Sequence, residues 1–406
     1  MLKRLCLALA LAVAGAGVHA ADTGAPAVAK GSLVIIGGGL RANNAEVWQK
    51  IVDLAGGKGA RIAVFPTAAG TPEREGQLTV AALNRYGAQA FVVPVAPRLA
   101  GLDARKAADD PLLARAVREA GGAFFTGGDQ ARITGALRRA DSGNTAVLDA
   151  LWAMYRRGGV IAGTSAGAAI MSGTMFYDPP LEVLPTLKNG VVDGKDVAPG
   201  LGFVGDDVFI DQHFLVRGRF ARMLPVMLAK GYTLGLGIDE NTAVVVGPSR
   251  EASVIGYRGA LVLDLAGATV DKAQPNFNLA NARISYLDSG DRFNLASRAY
   301  SPGPDKAPLN NADREHREPI FYPDILGNTS VVNLLEKLVD SDQQRAVGIA
   351  FEGPASRTPE RGFEFTFTRV PDTREYATNR EDAYSIYRIR MDVRPVKMHQ
   401  PLYSAE

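Results

Sequence analysis

Short apolar runs that alternate with helical spacing constrain this chain more than any other feature up to about residue 265. Residues 33–36, 62–65, 90–93, 123–125, 160–162 and 208–210 form runs too short for helices and too continuous for half-exposed strands. They read as strands buried on both faces. Between them, residues 44–54, 77–86, 110–120 and 131–140 place apolar side chains at helical spacing. Strand and helix in alternation build a mostly parallel sheet with helices on its faces, an α/β fold. Ligands of such sheets lie beyond the C-terminal ends of the strands, so the chemistry is expected in those loops.

Past residue 265 the helical spacing thins and turn-rich stretches appear, such as Ser301-Pro-Gly-Pro-Asp305. Two strict alternations follow. Phe363, Phe365 and Phe367 alternate with Glu364 and Thr366, and Tyr387, Ile389, Met391 and Val393 alternate with Arg388, Arg390, Asp392 and Arg394. Both predict half-buried antiparallel strands, with the arginines on a solvated face. The expected organisation is therefore an α/β catalytic domain over 30–265 and a mixed, strand-rich accessory region over 266–406.

Residues 1–20 read as a signal peptide: Lys3 and Arg4, then an apolar run over 5–18, then Val18-His19-Ala20 with small residues at the cleavage positions. The run has fourteen residues, short of the roughly 20 that a membrane span needs. Secretion to the periplasm or beyond is the expectation, with no membrane association after cleavage. Cys6 is the only cysteine, so a mature chain has no disulfide, thiolate nucleophile or cysteine-bound zinc. The formal charge is +2, and removing Lys3 and Arg4 leaves acidic and basic residues equal in number. A neutral chain lacks the basic footprint of nucleic-acid binding. Nothing in the sequence calls for a metal or an organic cofactor.

The strongest local signal is Gly163-Thr-Ser165-Ala-Gly167, which follows the strand at 160–162 and opens into small helix-forming residues. This is the pattern of a nucleophile elbow, a turn so tight that only small side chains fit around the serine. The N–H groups of the helix behind it, beginning at Ala166, can hold an oxyanion. Thr126-Gly127-Gly128-Asp129-Gln130 ends the preceding strand, where a backbone N–H, at Gly128, can complete that hole. Gln130 offers both a donor and an acceptor to substrate. Gly37-Gly38-Gly39 lacks a dinucleotide fingerprint and reads as a tight turn.

A serine hydroxyl needs a base. Outside the leader the chain has His213, His316 and His399. His213 ends a strand in Phe209-Ile-Asp211-Gln212-His213, whereas His316 lies in a charged stretch and His399 near the C-terminus, so His213 is the expected base. Asp178 and Glu182 both follow the elbow, and sequence order does not choose between them as the orienting acid. Arg217, Arg219 and Arg222 open the helix after His213. Cations there oppose the helix dipole, which points to an anionic ligand.

Phe124-Phe-Thr-Gly-Gly-Asp-Gln130, Gly163-Thr-Ser-Ala-Gly-Ala168 and Asp211-Gln-His-Phe214 with Arg217 and Arg219, in this order, resemble the cyanophycinases. These are serine peptidases of the family that includes the aspartyl dipeptidases, and the leader and long C-terminal region resemble the extracellular type. The resemblance implies a flavodoxin-like or class I glutamine amidotransferase-like fold, usually in a homodimer. It implies a serine–histidine–glutamate triad of Ser165, His213 and Glu182, with Asp178 in reserve. It also implies a substrate-binding set of Gln130, Asp211, Gln212, Arg217, Arg219 and Arg222. The substrate of the family is cyanophycin, a poly-aspartate whose side-chain carboxyls are amide-linked to arginine, released as β-aspartyl-arginine dipeptides. Such a substrate needs acids for its guanidinium as well as cations for its carboxylates, and Asp129 with Asp211 can supply them. The alternatives are a peptidase for isoaspartyl or other acidic peptides, a catalytically silent polymer-binding homologue, and a general esterase whose base would be His316.

Overall fold

In a computed structural model the described residues are 30–178, 182–310, 314–353, 361–378, 383–399 and 402. The leader reading at residues 1–20, with Cys6, lies outside them. The first part of the chain runs β1 (Ser32–Ile36), α1 (Ala45–Leu54), β2 (Arg61–Phe65), α2 (Pro72–Arg85), β3 (Gln89–Val92), α3 (Ala104–Ala108), α4 (Pro111–Glu119), β4 (Gly122–Phe125), α5 (Gln130–Leu137), α6 (Ala146–Arg157), β5 (Val160–Thr164) and α7 (Ala166–Ala169). The middle adds β6 (Thr174–Phe176), α8 (Leu184–Asn189), β7 (Val197–Pro199), β8 (Val208–Gln212), α9 (Phe220–Lys230), β9 (Leu234–Ile238), β10 (Thr242–Val246), β11 (Glu251–Gly256) and β12 (Ala260–Asp264). The last part holds β13 (Leu279–Leu287), β14 (Arg292–Asn294), β15 (Tyr300–Ser301), β16 (Lys306–Pro308), β17 (Ile320–Tyr322), α10 (Ser330–Val339), β18 (Arg345–Ala350), β19 (Arg361–Thr368), β20 (Arg374–Thr378) and β21 (Tyr384–Lys397).

The elements form two large sheets. The first has the order β15-β14-β11-β10-β1-β5-β4-β2-β3, parallel from β1 to β3 and antiparallel from β10 outward. Strand periodicity explains why helices cover both its faces. Leu33 and Ile35 pack into one core with Leu148 and Leu151 of α6, while Val34 and Ile36 face the other with Val47 and Ile51 of α1. Helix boundaries follow local chemistry. Asp110 accepts from Leu112 and Leu113 N–H just before Pro111, and Gly158 ends α6 at φ 119°.

The second sheet has the order β17-β18-β19-β21-β13-β12-β9-β8. Here the sequence expectation needs correction. β8, read as a sixth strand of the parallel sheet, instead pairs in parallel with β9 at the edge of the second sheet. Its side chains Val208 and Ile210 nevertheless pack into the core shared with Leu33 and Ile35, so the two sheets enclose a common interior. The strands of the C-terminal region extend both sheets: β13 pairs with β12, and β14 with β11. Phe363, Phe365 and Phe367 are fully buried along β19, and the rings of Phe220 and Phe365 lie 5.3 Å apart.

Candidate active site

β5, a central strand of the first sheet, delivers Ser165 just past its C-terminal end. Its N–H donates to Ile36 O at 3.0 Å, and its backbone sits at φ 54°, ψ −111°. That conformation is strained for a residue with a Cβ and aims the side chain away from the strand. The flanking glycines are sterically required. A Cβ on Gly163 would stand 2.3 Å from Gly167 O, and one on Gly167 would stand 2.4 Å from Phe125 O. Gly127 closes over the serine, where a Cβ would lie 3.2 Å from Ser165 Cβ. Gly128 is at φ 136°, held close to Ala68 O.

The imidazole comes from the second sheet. His213, just past β8, donates its backbone N–H to Gly37 O at 2.6 Å and has φ 48°. The turn Gly37-Gly38-Gly39 makes room for it: a Cβ on Gly38 would fall 2.3 Å from the imidazole Cε1. The predicted tight turn is thus also the seat of the histidine. Nε2 of His213 lies 2.9 Å from Ser165 Oγ, while Nδ1 lies 2.6 Å from Glu240 Oε1. A carboxylate at Nδ1 keeps a proton there and leaves Nε2 free to accept from the hydroxyl. Burial lowers the His213 pKa below its ordinary value, the Glu240 hydrogen bond opposes that, and the Arg217 charge adds to the depression.

Glu240 replaces Glu182 and Asp178 in this role. It stands at the tip of β9, and its neighbour Asn241, at φ 54°, anchors the turn by donating its N–H to Gly38 O at 2.7 Å. Adjacent Asp239 is fully buried and accepts from Leu215 and Val216 N–H, so it braces the segment after His213. Glu182 is exposed and lines a separate hollow with Arg217 and Asp324, and Asp178 donates its N–H to Lys195 O. His316 is solvent-exposed, pairs with Asp342 and does not line the cleft that holds Ser165. The sequence offers for Glu240 only that Asp239-Glu240-Asn241 ends an apolar run; the pairing of that strand with the one carrying His213 is what brings it to the imidazole.

Five of the residues expected to hold substrate have partners inside the protein. Asp211 takes a bidentate bond from Arg222, with both distances 2.7 Å, and accepts from Gln212 N–H. Both side chains are buried, and the Arg222 guanidinium lies 4.0 Å from the Phe176 ring centre. Asp211 and Arg222 therefore brace each other inside the protein. Asp129 caps α5 by accepting from Ala131 N–H and pairs with Arg132. Gln130 donates to Phe176 O at 2.8 Å and ties α5 to the end of β6. Arg219 donates to Gln212 O at 2.7 Å, its Nε is buried without a partner, and burial pulls its guanidinium down to about 10. Gln212 Oε1 lies 3.4 Å from Ser165 Oγ. Arg217 is exposed beside His213.

Ser165 and His213 open onto a cleft of about 390 Å³, lined also by Leu40, Phe124, Leu78 and Glu75. Roomier hollows lie among the C-terminal strands, such as one of about 690 Å³ bounded by Gln274, Arg361 and Lys397, but they contain no nucleophile–base pair. No group of three or more His, Cys, Asp or Glu residues is placed to hold a metal ion among the described residues. Among them, no helix is long and apolar enough to cross a membrane.

An α/β sheet that presents a strained serine to a braced imidazole defines a serine-type hydrolase. The chain belongs to peptidase family S51, whose family model matches residues 33–252, a span containing Ser165, His213 and Glu240. It is similar to the cyanophycinase of Geminocystis herdmanii, 31% identical over 273 residues that cover 65% of this chain and 94% of that protein. The cyanophycinase of Synechococcus elongatus is 31% identical over 274 residues, covering 66% of this chain and 80% of that one. A crystal structure of a peptidase from an acI-B1 actinobacterium is similar at 24% identity and a TM-score of 0.46, over 66% of this chain and 98% of that chain. The protein is a serine-type peptidase.

Proposed function

We propose that this peptidase is secreted and hydrolyses cyanophycin to β-aspartyl-arginine dipeptides through an acyl-enzyme on Ser165. The observation that carries the reading is the chain of contacts from Glu240 to His213 to Ser165, at 2.6 and 2.9 Å, at the floor of an open cleft. Its family setting supplies the substrate, since the similar proteins bear the name cyanophycinase.

In this mechanism Ser165 Oγ attacks the backbone carbonyl carbon while His213 Nε2 takes the hydroxyl proton. Glu240 holds Nδ1–H throughout and stabilises the imidazolium without accepting its proton. The N–H groups of Gly128 and Ala166 receive the oxyanion; Ala166 begins α7, where the first N–H groups lack intrahelical acceptors. The C–N bond breaks as Nε2 returns the proton to the leaving amine. Water then enters by the same route in reverse, giving a free carboxylate and restoring the serine. Arg217, exposed beside the imidazole, is the cation for a substrate carboxylate.

Incubating the purified chain with insoluble cyanophycin and reading the soluble product by mass tests this proposal. The expected product is the β-aspartyl-arginine dipeptide, released by the wild type and not by Ser165→Ala. Equal release by both, or only α-linked acidic peptides being cleaved, would exclude it. Export rests on the basic–apolar–small pattern of residues 1–20. A mature N-terminus at Ala21 in the cell-free or periplasmic fraction is its check. The homodimer implied by the family is read by sedimentation.

A further inference from the structure

One charged side chain in the cleft above Ser165 has no part in the peptide-bond chemistry. Glu75 lies in the first turn of α2 and is the only acidic residue among the cleft's lining side chains, none of which is Lys or Arg. No hydrogen bond or ion pair engages its carboxylate among the described residues. The same lining includes the apolar Leu40, Trp48, Ala82 and Leu78, and Leu78 is 54% exposed. A large apolar side chain left open beside an unpaired carboxylate matches an amphipathic cation. The aliphatic stem of such a group covers apolar surface while its charged head meets the acid. The cation of the catalytic neighbourhood, Arg217, lines a different hollow and leaves this carboxylate unneutralised.

We propose that Glu75 binds the guanidinium of the substrate's arginyl side chain and sets the preference of the cleft for a cationic residue. This rests on the cyanophycin reading and adds to it the residue that reads the arginine. With Arg217 holding a carboxylate and Glu75 holding a guanidinium, the zwitterionic repeat is fixed by opposite charges on either part of the site. A first-turn glutamate also favours the helix dipole by a small amount. That structural role is indifferent to substrate charge, which separates the two.

The test uses a short oligomer of the β-aspartyl-arginine repeat and its citrulline isostere, in which a neutral ureido group replaces the guanidinium. For the wild type, kcat/KM is expected to favour arginine by about tenfold or more, the worth of one charge-assisted contact. Glu75→Gln should bring the ratio close to one, and Glu75→Asp should recover part of it. A wild-type ratio retained by Glu75→Gln, or no preference in the wild type, overturns the assignment while leaving the peptidase reading standing. Failure of the wild type to hydrolyse either oligomer overturns the substrate reading and this inference with it. Glu75 is only partly buried, so the Gln variant keeps the fold, and circular dichroism checks that it does.

Discussion

Glu240 reaches His213 from the tip of the adjoining strand, 27 residues further along the chain. Glu240→Gln should lower kcat by about 100- to 10,000-fold, because an amide no longer fixes the tautomer or stabilises the imidazolium. Glu182→Gln should stay within about twofold of wild type in the same assay. The pH profile gives a second expectation. The base works when neutral, so kcat/KM falls as pH drops through the His213 pKa, and burial sets that pKa below the ordinary imidazole value. Activity should therefore persist below about pH 6.5. Arg217→Ala removes a cation that depresses the pKa and should move the acid limb upward. Glu240→Gln removes the bond that raises it and should move the limb downward. Limbs measured on both variants decide whether these two charges act on the imidazole. Ser165 and His213 were readable in sequence because an elbow pattern and a strand-end histidine leave few alternatives. Glu240 was not, because forward inspection from the serine meets Asp178 and Glu182 first, and only strand adjacency brings β9 beside β8.

The segment from the end of β8 into α9 shows why a local motif misleads about its partners. Three arginines at a helix start point to an anionic ligand by local spacing, but much of the compensation comes from Asp211 at the end of the preceding strand. A contact eleven positions back is set by how strand and helix pack, which local spacing does not report. Arg222→Ala leaves Asp211 buried without its bidentate partner and should cost about 3–5 kcal/mol of stability. The expected reading is a clear drop in melting temperature. A raised KM at unchanged melting temperature would instead make Arg222 a substrate contact. The triglycine turn after β1 carries a related lesson. Its composition predicts a turn, yet the reason for glycine at Gly38 is the imidazole pressed against it from another sheet.

At the scale of the molecule, the residues beyond 265 are built into both sheets rather than attached to one edge. β13 covers β12, and Phe365 packs on Phe220 of the helix that follows the arginine cluster. Truncation after Leu265 would expose Leu261, Leu263 and Phe220, all now buried, and open β12 along its length. The truncated chain should be insoluble or lack a cooperative melt, whereas a soluble, active fragment of 30–265 would show that the C-terminal strands are dispensable. The alternation of phenylalanines made the existence of β19 legible. Its destination was not, because period-two patterning reports a buried face and not which sheet supplies the cover. The arginines of β21 keep to the solvated face and also meet acids there: half-buried Arg388 pairs with Asp372, and exposed Arg394 with Glu364.

The most direct measurement is the rate at which a serine-directed fluorophosphonate modifies the folded protein, with the adduct located by peptide mass. Convergence of two sheets on one hydroxyl predicts a single adduct on Ser165, formed at least about a hundredfold more slowly in His213→Ala. Modification at another serine, or an equal rate without the imidazole, would contradict it.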